Sequence, residues 1–296
     1  MAAGANKNKK WLGYTLYVVL VTSLLLYYLF PNQFIEKFLD NSIRRINQEL
    51  TFKAGNIRPW LPAGLRITAG NIYLGAAEPP LFKADSFYIG PQMLDFIKGE
   101  YTFNFHGTAY SGDLKGTLHF TDKGAEFIAG DLVFNDFLLK EYAFLAEKFK
   151  HRLIGRLNGE IVYDNESAGK TGGDGRLELS LSDGQLQFLE PLFTIDSVDL
   201  QSIRLEAQLN RREVTIVKAD LAGPDLNGTM TGSILLHKDI NLSQINLKGT
   251  LEPQAEFYQN YPEAWDLLKT LKKRVKRGQY FFAVTGTLGD PQFRLL

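Results

Sequence analysis

"FNFHGTAYSGDLKGTLHF", Phe103 to Phe120, alternates apolar and polar residues and reverses direction once. Alternation at period two sends successive side chains to opposite faces of a strand. A two-residue turn at Ser111–Gly112 predicts the facing pairs Ala109:Leu114, Gly107:Gly116, Phe105:Leu118 and Phe103:Phe120, apolar against apolar. The other face then pairs Tyr110:Asp113, Thr108:Lys115, His106:Thr117 and Asn104:His119. A one-residue slip would set apolar against polar throughout, so turn and pattern agree. Gly107 opposite Gly116 would leave a notch in the greasy face.

Working outward, the same asymmetry returns. In "SIRLEAQLN" Ile203, Leu205, Ala207 and Leu209 share one side, and Ser202, Arg204, Glu206 and Gln208 the other. Strands greasy on one face and wet on the other follow the antiparallel pattern. "TFKAGNI", "GLRITAGNIYL", "PLFKADSFYI", "AEFIAGDLVF", "IGRLNGEIVYD", "EVTIVKADLA", "LNGTMTGSILLH" and "QINLKGTL" read as further strands. "GRLELSLSDGQLQFL" reads as strand, Asp183–Gly184 turn, strand. "PQMLDFIKGE" reads as a short turn, and "NESAGKTGGDG" as a long loop. A glycine–polar–aliphatic unit recurs at Gly116, Gly159, Gly175, Gly232, Gly249 and Gly286, at irregular intervals. Helical periodicity is confined to residues 31–50, with Phe34, Ile35, Phe38, Leu39 and Ile43 on one face, to 136–149 and to 262–277.

The chain has 296 residues, 33 basic and 33 acidic, so no global basic field asks for nucleic acid. The absence of cysteine removes disulfides, thiolate metal sites and thiol nucleophiles together. The N-terminus carries Lys7, Lys9 and Lys10, then "WLGYTLYVVLVTSLLLYYLF", Trp11 to Phe30, without a charge. Such a run is about 30 Å long as a helix, the thickness of a hydrocarbon core. Trp11, Tyr14, Tyr27, Tyr28 and Phe30 sit toward its ends and Leu20 and Leu25 within it. A cleaved signal peptide has a shorter apolar region and a small-residue cleavage site. The reading is an uncleaved single-pass anchor with the N-terminus in the cytoplasm. Residues 1–10 then form a basic tail, 11–30 the anchor, 31–50 an amphipathic helix and 51–296 a β-rich body across the membrane.

Chemistry-bearing patterns are sparse. His106 and His119 would lie diagonally on one face, but no carboxylate joins them, and metal sites want three or four ligands. They read as solvent-facing polar residues. No metalloprotease helix, phosphate-binding loop, nucleophile elbow or dinucleotide fingerprint appears, so neither enzyme activity nor a cofactor is expected. One basic run stands out: Lys269, Lys272, Lys273, Arg274, Lys276 and Arg277, on a helix whose other face holds Trp265, Leu268, Leu271 and Val275. It is a solvated helix end or a site for anionic head groups or an acidic partner. The apolar face offers Phe103, Phe105, Leu114, Leu118, Phe120, Ile203, Leu205 and Leu209 as lining for a groove.

The expected fold class is mainly β: an N-terminal transmembrane helix, then an elongated, curled antiparallel-rich sheet with about three short amphipathic helices. With "NIRPWLPAGLRITAGNIYL" after a short helix and the closing "VTGTLGDPQFRL", the layout resembles the AsmA-like superfamily. More closely it is similar to the N component of type II secretion, the general secretion pathway protein N of deltaproteobacterial type. The resemblance implies a bacterial inner-membrane protein with a periplasmic, groove-like β body. It implies association with secretion or other envelope proteins as a scaffold, or binding and transfer of phospholipid. It supplies no catalytic residues.

Overall fold

The computed structural model describes residues 5–46, 48–60, 63–75, 79–120, 127–149, 151–165, 173–192, 195–263, 275–276 and 278–296. Two helices come first, α1 (Ala5–Tyr28) and α2 (Asn32–Ile46). Three strands follow: β1 (Leu50–Pro59), β2 (Leu65–Leu74) and β3 (Phe82–Pro91). A six-residue helix, α3 (Met93–Lys98), leads into β4 (Tyr101–Ala109), β5 (Gly112–Phe120) and β6 (Phe127–Leu138). Helix α4 (Ala143–Phe149) precedes β7 (His151–Asp164), β8 (Gly173–Leu192) and β9 (Ile195–Arg211). Then come β10 (Glu213–Ala222), β11 (Leu226–Leu235), β12 (Gln244–Pro253) and α5 (Ala255–Asn260). The two-residue β13 (Val275–Lys276), β14 (Gln279–Thr287) and β15 (Pro291–Leu295) close the chain.

All 15 strands join one antiparallel sheet in which β1 to β12 stand side by side in chain order. β14 follows β12, and β13 and β15 share its far edge. Fourteen strands lie along the path, so at about 4.8 Å per neighbour the sheet is about 62 Å wide. Among the described residues its two edges do not pair with each other, so the described sheet is open. Among the described residues the substantial close contacts between strands are all between sheet neighbours. The sequence reading of a mainly β, antiparallel chain holds. The curl into a groove is not shown.

Edge strands invite pairing with other chains. Here α2 lies along β1, where the Phe52 N–H donates to Asp40 Oδ1 (2.7 Å) and the Ala54 N–H to Glu36 Oε1 (2.9 Å). Two carboxylates of α2 thus occupy the outward donors of the edge. At one end of the sheet α5 packs Phe257 against Val198 and Leu200. Asn260 holds the buried Asp225 side chain (2.9 Å), and Tyr261 donates to the Ser197 carbonyl (2.6 Å).

Several local expectations give way to packing. The hairpin turns at Tyr110–Ser111, not Ser111–Gly112, with positive φ at both residues (50° and 60°). Its register is Phe103↔Leu118, Phe105↔Gly116 and Gly107↔Leu114, so Phe120 faces Tyr101 and the predicted pairs move by two residues. The faces survive, because a shift of two keeps the alternation. Residues 136–138 extend β6 instead of opening a helix: Phe137 faces Leu157 and is buried beside Phe134, at 4.8 Å between rings. Asp183–Gly184 is no turn. β8 runs through it, and Asp183 (φ 51°) is an extra residue opposite the jump from Ile154 to Arg156 in β7. Residues 93–98 are helical, closed by Gly99 at φ 87°. A helix over 262–277 is interrupted, since Val275–Lys276 pairs with Tyr280–Gln279.

Candidate functional site

Directly opposed residues of an antiparallel pair share a face, so the registers can be followed from strand to strand. Starting at Phe105 and moving toward β1, the row reads Ile89, Leu65, Pro59. Moving the other way, it reads Gly116, Leu132, Ile161, Leu177, Ala207 and Ile216. It continues as Gly232, Leu247, Val284 and Phe293. No polar side chain interrupts it from β1 to β15. A second row two positions along is equally clean. It holds Ile57, Ile67, Phe87, Gly107, Leu114, Phe134 and Gly159, then Leu179, Leu205, Ala219, Met230, Gly249, Phe282 and Leu295.

The sequence-predicted lining residues fall together. Phe105 lies in the first row and Leu114 and Leu205 in the second. Phe103, Leu118 and Leu209 belong to a third that runs through Gly130, Tyr163 and Gly175. Ile203 shares the face with Leu181 and Leu221, and Phe120 with Tyr101 and Phe127. Packing along the face is lateral. Clusters form around Phe105, Leu114 and Phe134, around Val198 and Leu200, and around Ile216, Ile245 and Leu247. Phe105, Leu114, Phe134, Ala207, Ile216 and Leu247 are buried along these rows, while Leu132, Leu177 and Leu179 are half-buried and Ile161 is 37% exposed.

The glycine notch expected between Gly107 and Gly116 is not there. Phe105 faces Gly116, and its Cζ lies 2.7 Å from where a Cβ would stand. Phe134 covers Gly159 and Phe282 covers Gly249 in the same way. At Gly159 the recurring glycine therefore makes room for an aromatic ring from a neighbouring strand, whereas at Gly116 and Gly249 a Cβ would meet the Asp131 or Thr229 carbonyl oxygen before the ring. At Gly232 and Gly286 it serves the backbone, with φ of 140° and 99°.

Tyrosines mark the rim of the face. The Tyr110 ring packs on Phe82, Phe137 and Tyr142, its oxygen accepts the Lys83 N–H (2.8 Å), and burial pushes its phenol up to about 12. Burial likewise raises Tyr142 and Tyr280.

The opposite face is wet. One transverse row reads Arg58, Arg66, Tyr88, His106, Lys115, Val133, Glu160, Glu178, Glu206 and Lys218. A shallow hollow of about 400 Å³ opens beside it, lined by Tyr88, His106, Lys115, Asp113 and Asn135 among others. His106 stacks on Tyr88 at 4.9 Å and faces Lys115, while His119 faces Thr102 and meets its hydroxyl at 3.1 Å. The diagonal approach of the two imidazoles does not occur. Among the described residues no group of His, Asp and Glu is placed to hold a metal ion. Of the basic run, Lys276 lies in β13; Lys269, Lys272, Lys273, Arg274 and Arg277 lie outside the described residues.

Among the described residues no helix is long and apolar enough to cross a membrane, so the expected transmembrane helix finds no support there. Trp11, Tyr14, Leu20, Leu25, Tyr27 and Tyr28 are exposed along α1, at 48% or more; Phe30 lies just beyond it, half-buried. Comparison with protein families, curated proteins and solved structures finds no match.

Proposed function

We propose that this protein is a membrane-anchored β platform whose apolar face carries the acyl chains of phospholipids. The observation behind this is the unbroken apolar row from Pro59 to Phe293, one residue on each of fourteen strands of a single sheet. A soluble protein rarely leaves so large an apolar surface without a guest or partner. Acyl chains suit it because the face is long, apolar and free of polar groups that would demand specific partners. The charge-free run Trp11–Phe30 supports an anchor, and the lysines before it favour an inner-membrane orientation with the body in the periplasm. The resemblance to the secretion component offers a scaffold reading, in which the face would seat a protein.

The test is retention of lipid. Phospholipid is measured by mass spectrometry in full-length protein exchanged into lipid-free detergent, for the native chain and for Ile161→Asp with Leu177→Asp. Both residues are at least partly exposed, so the fold tolerates the change better than at Phe105. Lipid above that of an isolated anchor peptide, lost in the double variant, is the expected result. Equal lipid in both proteins, with a secretion component co-purifying only with the native chain, would replace lipid carriage by the scaffold.

A further inference from the structure

The cation-rich end of the polar row is not explained by folding. Arg58 and Arg66 are directly opposed on β1 and β2, and both are exposed. Like charges facing each other across strands are unfavourable by themselves. Among the described residues neither has an ion-pair partner. Aromatic rings fill in around them instead. The Arg66 guanidinium lies 5.3 Å from the Tyr88 ring, and Trp60 meets that ring edge-on at 4.9 Å while remaining 48% exposed. Arg58 donates to the Tyr27 hydroxyl (2.9 Å), at the last turn of α1.

That last contact fixes where the pair stands. If α1 is the anchor, Tyr27 ends the apolar run, and Arg58 and Arg66 lie within about 10 Å of it, two strand spacings at most. The head-group layer on each side of a bilayer is about 5–8 Å deep. Cations, a half-exposed tryptophan and tyrosines at that depth are the composition of an interfacial anchor. Each arginine can also take a phosphate oxygen pair through its planar fork.

We propose that Arg58, Arg66 and Trp60 form a docking surface for the anionic phospholipid head groups of the bilayer that holds α1. This rests on the anchor reading of α1 and not on lipid carriage by the apolar face. Docking there would set the tilt of the sheet on the membrane, with β1 and β2 held against the surface.

The test uses the full chain with Trp11→Phe and Trp265→Phe, which leaves Trp60 as the sole tryptophan of three. It is reconstituted into brominated phosphatidylcholine vesicles, with or without one-third phosphatidylglycerol. Trp60 quenching should rise with the anionic lipid and fall in half-molar salt. Each of Arg58→Gln and Arg66→Gln should shift the docking equilibrium about fivefold toward release. Arg58→Lys with Arg66→Lys should retain most of it, and circular dichroism confirms the fold of each variant. Quenching that is equal in both lipids, or unchanged by the glutamine variants, overturns the proposal. Release of the chain from neutral vesicles at alkaline pH would refute the anchor instead. Quenching that ignores the arginines in a chain that stays with the vesicles would refute the docking surface alone.

Discussion

Gly159→Ala is the most informative single change in the sheet. A Cβ at this position would stand 2.6 Å from Leu179 Cδ2 and 2.8 Å from Phe134 Cε1, with Phe134 Cζ closer still. All three atoms belong to side chains, so the backbone is not the obstacle. Phe134 cannot swing away freely, because it is 7% exposed and stacked on Phe137 at 4.8 Å. Overpacking of this kind costs about 1–3 kcal/mol. We expect about 2 kcal/mol, read as a fall of about 4 °C in the thermal midpoint of the full chain in mild detergent. Phe134→Leu alone should cost about 1–2 kcal/mol through the cavity it leaves. Combined with Gly159→Ala it should cost less than the sum by about 1 kcal/mol, because the new methyl occupies vacated space. Full additivity of the two changes would refute the ring-over-glycine account, as would a Gly159→Ala protein that melts like the native one.

Two further outcomes follow from named contacts. The Tyr110 phenol is raised to about 12 while an unfolded tyrosine ionises near 10, so the unfolded chain loses its proton first. Stability should be complete below about pH 10 and fall as pH rises toward 12, by on the order of 2 kcal/mol, with Tyr142 and Tyr280 adding in the same direction. Tyr110→Phe should flatten the slope of midpoint against pH in that window; an unchanged slope would point away from this ring. At the other end, Glu36→Ala with Asp40→Ala should uncover the β1 edge, costing about 1 kcal/mol for each lost bond and raising the scattering of concentrated protein. Glu36→Gln with Asp40→Asn keeps an acceptor at each site and should scatter much less.

The strands were legible because period-two alternation survives small errors of register. Turns were not, because burial outweighs turn preference. Ser-Gly looked like the hairpin turn, yet Tyr110 takes a left-handed conformation costing about 1–2 kcal/mol, and its buried ring offsets that. Gly112 is needed for another reason: a Cβ there would strike the backbone of Asn135 and Asp136. Phe137 shows the same competition. Residues 136–149 carry a helical period, but the ring is held at the face by Phe134 and Tyr110, and the strand runs on to Leu138. The lining residues could be read from alternation alone. The row joining them could not, since it depends on 13 separate registers. The opposed arginines were missed for that reason, although Trp60 beside two basic strands was a signal in plain sight.

The central claim is that acyl chains lie along the apolar face of the central strands, and not along the polar face behind them. Glu160 and Ile161 are adjacent in β7 and point to opposite faces, as do Glu178 and Leu177 in β8. A photoreactive amino acid placed singly at these four positions, in full-length protein within native membranes, reports the occupant of each face when adducts are identified by mass spectrometry. The account requires phospholipid adducts at positions 161 and 177 and none at 160 and 178. Adducts on both faces alike, or only protein adducts at 161 and 177, would contradict it.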